Sequence, residues 1–175
     1  ADTDRSIFML TPYFVFALSL LCWSVFPIAG QEQAYIKLEY NLFIFFAIST
    51  INVYGTYLAG WSSNSNFAFL GGLRAAAQMV SYEIAFSVII LIIVFSAGNI
   101  APEKITLAQS NYWFIFQHFP IAVLFYLTIL AETNRHPYDF VESESELVSG
   151  YNVEYGGMPF ALYFLAEYAN MILMS

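Results

Sequence analysis

Charge is scarce in this sequence. Only 10% of its 175 residues are Asp, Glu, Lys or Arg, against roughly 25% in an ordinary soluble domain. A globule of this size could not cover itself with so little polar surface, so a soluble enzyme domain is excluded. Positive charge is scarcer still: 5 Lys and Arg stand against 13 Asp and Glu, a net charge of −8. That balance excludes electrostatic binding of nucleic acid or of an anionic lipid surface. The one cysteine, Cys22, excludes a disulfide framework, a thiolate zinc site and a Cys-ligated iron–sulfur cluster. The two histidines, His118 and His136, are too far apart to pair on one helix face and too few to hold two haems. There is no dinucleotide-binding glycine fingerprint, no phosphate-binding loop motif and no nucleophile triad. The start, Ala1-Asp-Thr-Asp-Arg5, lacks the basic region and cleavage site of a signal peptide. It also lacks an initiator Met, as expected if the first residues were removed or the chain is part of something longer.

Apolar residues are plentiful, at 59%. Disordered chains are poor in them, which leaves a polytopic membrane protein whose helices satisfy their own backbone groups. Five apolar stretches stand out, at about 12–28, 40–59, 75–97, 112–131 and 159–175. Each has the ~20-residue length that crosses a bilayer as helix, and none alternates as a barrel strand would. The expected fold is an all-α bundle of about five transmembrane helices in one domain, residues 1–175, with a long acidic loop before the last span. Turn chemistry falls between the runs: Pro27 to Gly30, the polar stretch Gly60-Trp-Ser-Ser-Asn-Ser-Asn66, Gly71-Gly72, Gly98-Asn99, Pro137, and Gly156-Gly157 ahead of Pro159. Five crossings put the 60–74 and 132–157 loops on one side. Lys and Arg divide too evenly between the two sides to fix the orientation.

Carboxylates inside membrane helices cost ~2.5–3.5 kcal/mol each to insert, so those present demand a reason. Glu167 lies well inside the last span, Glu83 inside the third, and Glu132 closes the fourth. Glu83 and Glu167 are each either a proton-relay group or a protonated, hydrogen-bonded polar lock between helices; Glu132 is either a relay group or a helix-end residue in the headgroup layer. Arg74 opens the third span, where a lone Arg most often snorkels. Arg135 follows Glu132 in Glu132-Thr-Asn-Arg135; if the helical turn continues, the two are i, i+3 neighbours and pair. The 132–157 segment gathers Glu132, Asp139, Glu142, Glu144, Glu146 and Glu154 against Arg135 and His136. Crowded carboxylates raise one another's pKa, which suits proton uptake. A solvated acidic loop is the plainer alternative, and Tyr138, Phe140, Val141, Leu147, Val148 and Tyr151 count against it because apolar side chains need something to pack on.

Several stretches are long enough to carry a family resemblance: Gly60-Trp-Ser-Ser-Asn-Ser-Asn66, Leu73-Arg-Ala-Ala-Ala-Gln-Met-Val-Ser-Tyr-Glu83, Ala131-Glu-Thr-Asn-Arg135, Glu146-Leu-Val-Ser-Gly-Tyr-Asn-Val-Glu-Tyr155 and Phe164-Leu-Ala-Glu-Tyr-Ala-Asn-Met-Ile-Leu-Met174. In order, and over essentially the whole chain, they resemble the membrane subunit 1 family of proton-pumping NADH:ubiquinone oxidoreductase, respiratory complex I. The resemblance implies a membrane-arm subunit that helps form the quinone-binding cavity and an acidic proton path leading from it. Glu83, Glu132 and Glu167 would belong to that path, with Arg74 and Arg135 as its basic residues. Asp139, Glu142, Glu144, Glu146 and Glu154 would belong to the loop that lines the cavity and docks the peripheral arm. No cofactor or metal would be bound by this chain. Ubiquinone would be the substrate of the complex, and NADH, FMN and Fe–S clusters would sit in partner subunits. The expected partners are the other membrane and peripheral-arm subunits, the lipid bilayer, and a second chain if the subunit is split, because family members carry a further N-terminal span and further C-terminal spans. Relatives usually have Pro or Ala before the first loop Glu and Gly or Ala after it; Val141 and Ser143 stand here instead.

Two other readings share these features. The matching subunit of an energy-converting hydrogenase uses the same motifs with other partners. An ion-coupled transporter would also bury carboxylates, but transporters commonly show inverted repeats and none is present. Few Lys, one Cys and abundant Phe, Tyr, Ile and Asn suit an AT-rich organelle gene, which points to the mitochondrial inner membrane over a bacterial plasma membrane.

Overall fold

A computed structural model of the chain describes residues 5–26, 40–138 and 155–174. Among these residues there are seven helices and no strand: α1 (Arg5–Val25), α2 (Asn41–Ser62), α3 (Asn66–Ala97), α4 (Pro102–Ala108), α5 (Phe114–Gln117), α6 (Phe119–Glu132) and α7 (Met158–Met174). By length and composition α1, α2 and α3 can each cross a bilayer, while α6 and α7 are shorter apolar helices. Many large side chains on these helices, such as Phe67, Phe95, Ile84 and Tyr126, are exposed. A water-facing protein would not tolerate such a surface, so the fold is that of an all-α membrane protein.

The helices pack in an open arc. α7 lies against α1, α1 against α2, α2 against α3, and α3 against α6. The two ends of the arc, α6 and α7, therefore face each other across a gap. An aromatic cluster fills the middle of the arc, with Phe45 against Phe86 and Phe86 stacked on Phe125 at 5.5 Å.

Three boundaries differ from those expected from the apolar runs. First, α1 occupies residues 5–25 rather than 12–28, and Pro12 is buried within it. Second, the turn between α2 and α3 is only Ser63-Asn64-Ser65, with Asn64 at φ 52°. Gly71-Gly72 does not break the chain, because α3 runs through both as one 32-residue helix. Gly72 serves packing: a Cβ on the facing Gly60 would stand 2.7 Å from the Ala68 carbonyl oxygen and 3.2 Å from the Gly72 Cα. Small residues let membrane helices approach to backbone contact. Gly60→Ala in the full-length protein should accordingly destabilise the α2–α3 hairpin by ~1–3 kcal/mol, the usual cost of overpacking. The check is the thermal midpoint in mild detergent, which should drop; an unchanged midpoint would mean that the hairpin opens without cost.

Third, the run expected as one helix over 112–131 is interrupted at His118, with φ −121° and ψ 48°, between α5 and α6. Pro120 explains it. Its ring has no N–H to donate and would clash with a helical carbonyl four residues back, so it is tolerated at the start of a helix and not inside one. The last helix forms where expected, after Gly157 at φ 63° and with Pro159 in its first turn.

Candidate functional site

The end of α6 is the pivot of the site. After Glu132 the chain closes in a left-handed turn at Asn134, φ 50°. The Asn134 amide donates to the Ala131 carbonyl at 3.3 Å and the Arg135 amide to the Leu130 carbonyl at 2.9 Å. This is the Schellman pattern, in which Asn can stand where Gly is usual. Gln78, buried on α3, fixes the same turn: its Nε2 donates to the carbonyl oxygens of Ala131 and Tyr138, both at 2.8 Å. The Tyr138 ring packs edge-on against Tyr82, with centroids 5.3 Å apart.

The Schellman turn decides the pairing of Arg135. A continued helix would have set it beside Glu132; instead the chain swings toward α7. Arg135 Nη2 lies 3.3 Å from Glu167 Oε1. Its Nε is 3.1 Å from Met171 Sδ, and its guanidinium carbon sits 5.5 Å above the Tyr168 ring, within cation–π range. The expected Glu132–Arg135 pair is thus replaced by an Arg135–Glu167 pair that bridges the two ends of the arc.

Glu132 instead meets α2. Ser49 Oγ donates to Glu132 Oε1 at 3.3 Å. The next residue on α2, Thr50, donates from Oγ1 to Glu83 Oε1 at 2.5 Å, and Glu83 is close enough for its charge to act on Glu132. Beside this row lies a cavity of about 180 Å³ bounded by α2, the end of α6 and α7, with Glu132, Arg135 and Glu167 all in its wall. Asn52 and Asn134 line it as well. Asn52 Oδ1, Asn134 Oδ1 and Glu132 Oε2 are buried without a hydrogen-bond partner among the described residues. Such groups call for partners, and a cavity of this size and polarity can hold several water molecules, at ~30 Å³ each.

Of the residues singled out in sequence, Glu83, Glu132, Arg135 and Glu167 come together. Arg74 does not: it is exposed on α3, about 13 Å along the helix from Glu83 at 1.5 Å per residue, and outside the cavity wall. Asp139, Glu142, Glu144, Glu146 and Glu154 lie outside the described residues. The described residues on either side of that segment, Tyr138 and Tyr155, are packed. Tyr138 rests on Tyr82, and Tyr155 is buried, stacked on Phe8 at 4.0 Å and bonded through its hydroxyl to Ser62 Oγ at 3.2 Å. Ser49, Thr50, Asn52 and Gln78 do not stand out in the sequence. The available signal is the spacing of Ser49, Asn52 and Thr56, which marks one polar stripe along an otherwise apolar helix. Among the described residues no three His, Cys, Asp or Glu gather as a metal centre requires.

Fold and site together define a helical membrane protein in which two carboxylates, Glu132 and Glu167, and one basic residue, Arg135, line a cavity between apolar helices. The family is more specific than that. The profile described as NADH dehydrogenase matches residues 1–175, and the chain belongs to this family. It is 52% identical over 174 residues to a subunit of the NADH-quinone oxidoreductase of Rhodospirillum rubrum, covering 98% of this chain and 51% of that one. It is 50% identical over 168 residues to the NADH-ubiquinone oxidoreductase chain 1 of Chondrus crispus, covering 96% and 51%. To the protein of that name in Triticum aestivum it is 50% identical over 169 residues, covering 97% and 52%. The chain therefore spans about half the length of the curated relatives it matches.

Proposed function

We propose that this chain forms the central part of the membrane subunit of a proton-pumping NADH:quinone oxidoreductase and carries a segment of its proton path. The observation that carries the reading is the convergence of Glu83, Glu132 and Glu167 from three helices, with Ser49, Thr50 and Arg135 between them. Carboxylates at membrane depth are functional by default and commonly serve proton relays. A proton taken up at one end of the row passes by way of Glu132 and the water that the cavity can hold. Arg135 holds Glu167 ready to exchange charge. The names of the relatives support an oxidoreductase assembly as the setting.

On this reading the five apolar helices are five crossings of one transmembrane domain. Arg74 and the loop acids Asp139, Glu142, Glu144, Glu146 and Glu154 extend the path toward the quinone cavity and the peripheral arm. Ubiquinone is the substrate of the complex, electron carriers reside in partner subunits, and the remaining spans of the subunit complete the cavity. The setting is the mitochondrial inner membrane.

The test replaces Glu83 and Glu167 singly by Gln in the full-length subunit of the assembled complex. Gln keeps the size and removes the titrating group. Quinone reductase activity coupled to proton pumping should fall roughly tenfold or more in each, within the usual range for loss of a proton-transfer group. NADH:ferricyanide activity, which uses only the upstream electron carriers, should stay at the level of the unaltered complex. Full pumping in both variants would make the carboxyls polar locks between helices and end the proton-path reading.

A further inference from the structure

Ser49 and Thr50 are consecutive residues on α2, yet their hydroxyls reach carboxylates on two different helices. Ser49 Oγ holds Glu132 Oε1 at 3.3 Å, at the end of α6. Thr50 Oγ1 holds Glu83 Oε1 at 2.5 Å, on α3. Serine and threonine in membrane helices ordinarily turn back to a carbonyl of their own helix, as Ser81, Ser87 and Ser96 do at 2.7, 2.7 and 3.0 Å. Thr50 does that as well, with Oγ1 2.9 Å from the Phe46 carbonyl oxygen. A hydroxyl has a single proton and two acceptor lone pairs. Thr50 can therefore donate to Glu83 or to Phe46, but not to both at once.

We propose that Ser49 and Thr50 are positioning residues of the proton path, with Thr50 acting as a two-position hydroxyl that follows the protonation of Glu83. When Glu83 is ionised, the Thr50 proton points at the carboxylate. When Glu83 takes up a proton, its O–H donates to Thr50 Oγ1 and the Thr50 proton turns to the Phe46 carbonyl. Neither position leaves the carboxyl unpartnered, so both protonation states are held in one geometry. Ser49 holds Glu132 from the adjacent position, and because the two residues are neighbours on α2, the two carboxylates keep a fixed spacing as a proton moves between them. The groups facing the pair are Glu83 from α3, Glu132 from the end of α6, and Arg135 and Glu167 across the cavity.

This inference rests on the proton-path reading, and the experiment separates the two. Thr50→Val, Thr50→Ser, Ser49→Ala, Ser49→Thr and Glu83→Gln are made in the full-length subunit and assayed in the assembled complex. Thr50→Val keeps the branched shape without the hydroxyl. It should lower kcat for quinone reduction roughly tenfold, the scale of one hydrogen bond to a charged group. KM for quinone and NADH:ferricyanide activity should not change, since neither hydroxyl is placed to touch quinone. Thr50→Ser should restore most of the rate, and the Ser49 variants should divide in the same way. Full rates in Thr50→Val and Ser49→Ala with a slow Glu83→Gln would overturn this inference and leave the proton path standing. A full rate in Glu83→Gln would end both. Equal damage in Thr50→Ser and Thr50→Val would assign the effect to packing and also overturn it. If Thr50→Val does not assemble, Ser49→Ala, at the longer 3.3 Å contact, carries the same test.

Discussion

Replacing Glu132 by Gln should nearly abolish quinone-dependent proton pumping. Among the described residues, Glu132 is the carboxylate that touches both halves of the site. One oxygen accepts from Ser49, on the side of Thr50 and Glu83, and the other is buried with no hydrogen-bond partner among those residues. Glu132 also lines the cavity that Arg135 and Glu167 close. Gln keeps the shape and the Ser49 contact but cannot pass a proton between the halves. A positioned proton-transfer group contributes ~10²–10⁴-fold, so a loss of about a hundredfold is expected, larger than for either neighbour. Glu132→Asp keeps the titrating group but withdraws it by one methylene and should fall between. The measurement is quinone reductase activity with proton uptake in sealed vesicles, against NADH:ferricyanide activity in the same preparation. Parallel loss of both would mark Glu132 as an assembly residue, since the upstream carriers do not need it.

The carboxylates of this site are legible in the sequence because membrane insertion makes them expensive, and an expensive residue stands out against Phe160-Ala-Leu-Tyr-Phe-Leu-Ala166 without any knowledge of the fold. Their hydroxyl partners are not. Ser and Thr cost little in an apolar helix because each can satisfy itself on its own backbone, so Ser49 and Thr50 look like Ser81 or Ser87 until the neighbouring helices are in place. Gln78 is hidden for a related reason. It precedes Glu83 in a stretch that carries the family resemblance, but its work at the α6 turn depends on carbonyls more than fifty residues away.

The helix boundaries follow the same logic. Glycine pairs break helices in water, where nothing replaces the lost side-chain contacts, and in sequence Gly71-Gly72 reads as such a break. In α3 the second of them, Gly72, is what allows α2 to come within backbone contact, and only the facing Gly60 reveals it. Pro120 shows the reverse case. It lies inside an apolar run long enough to span a bilayer, and the hydropathy of that run conceals a break that proline's missing N–H makes necessary. Hydropathy therefore locates the apolar helices, while their ends are set by residues whose effect depends on what lies opposite.

Arg135→Ala should be the most damaging change at a basic residue, and the identity of its partner makes the prediction specific. Had α6 continued, Arg135 would have compensated Glu132. The turn at Asn134 gives it to Glu167 instead, with Tyr168 and Met171 fixing the guanidinium. Removing it takes from Glu167 the guanidinium that lies 3.3 Å away and shifts the charge balance of the cavity wall. Quinone reductase activity should fall at least about tenfold, and Arg135→Lys should recover only part, because an ammonium matches neither the reach nor the planar stacking of guanidinium. A double-mutant cycle identifies the partner. Groups that act together lose less in combination than the sum of the single losses, and independent groups lose the full sum. Read as losses in the thermal midpoint of the assembled complex, so that a block in one serial path does not mask the pairing, Arg135→Ala with Glu167→Gln should therefore be little worse than Arg135→Ala alone, whereas Arg135→Ala with Glu132→Gln should show nearly the full sum of the two losses. The reverse result, strong coupling to Glu132 and none to Glu167, would restore the i, i+3 pair and show that the bridge between α6 and α7 does not govern the path.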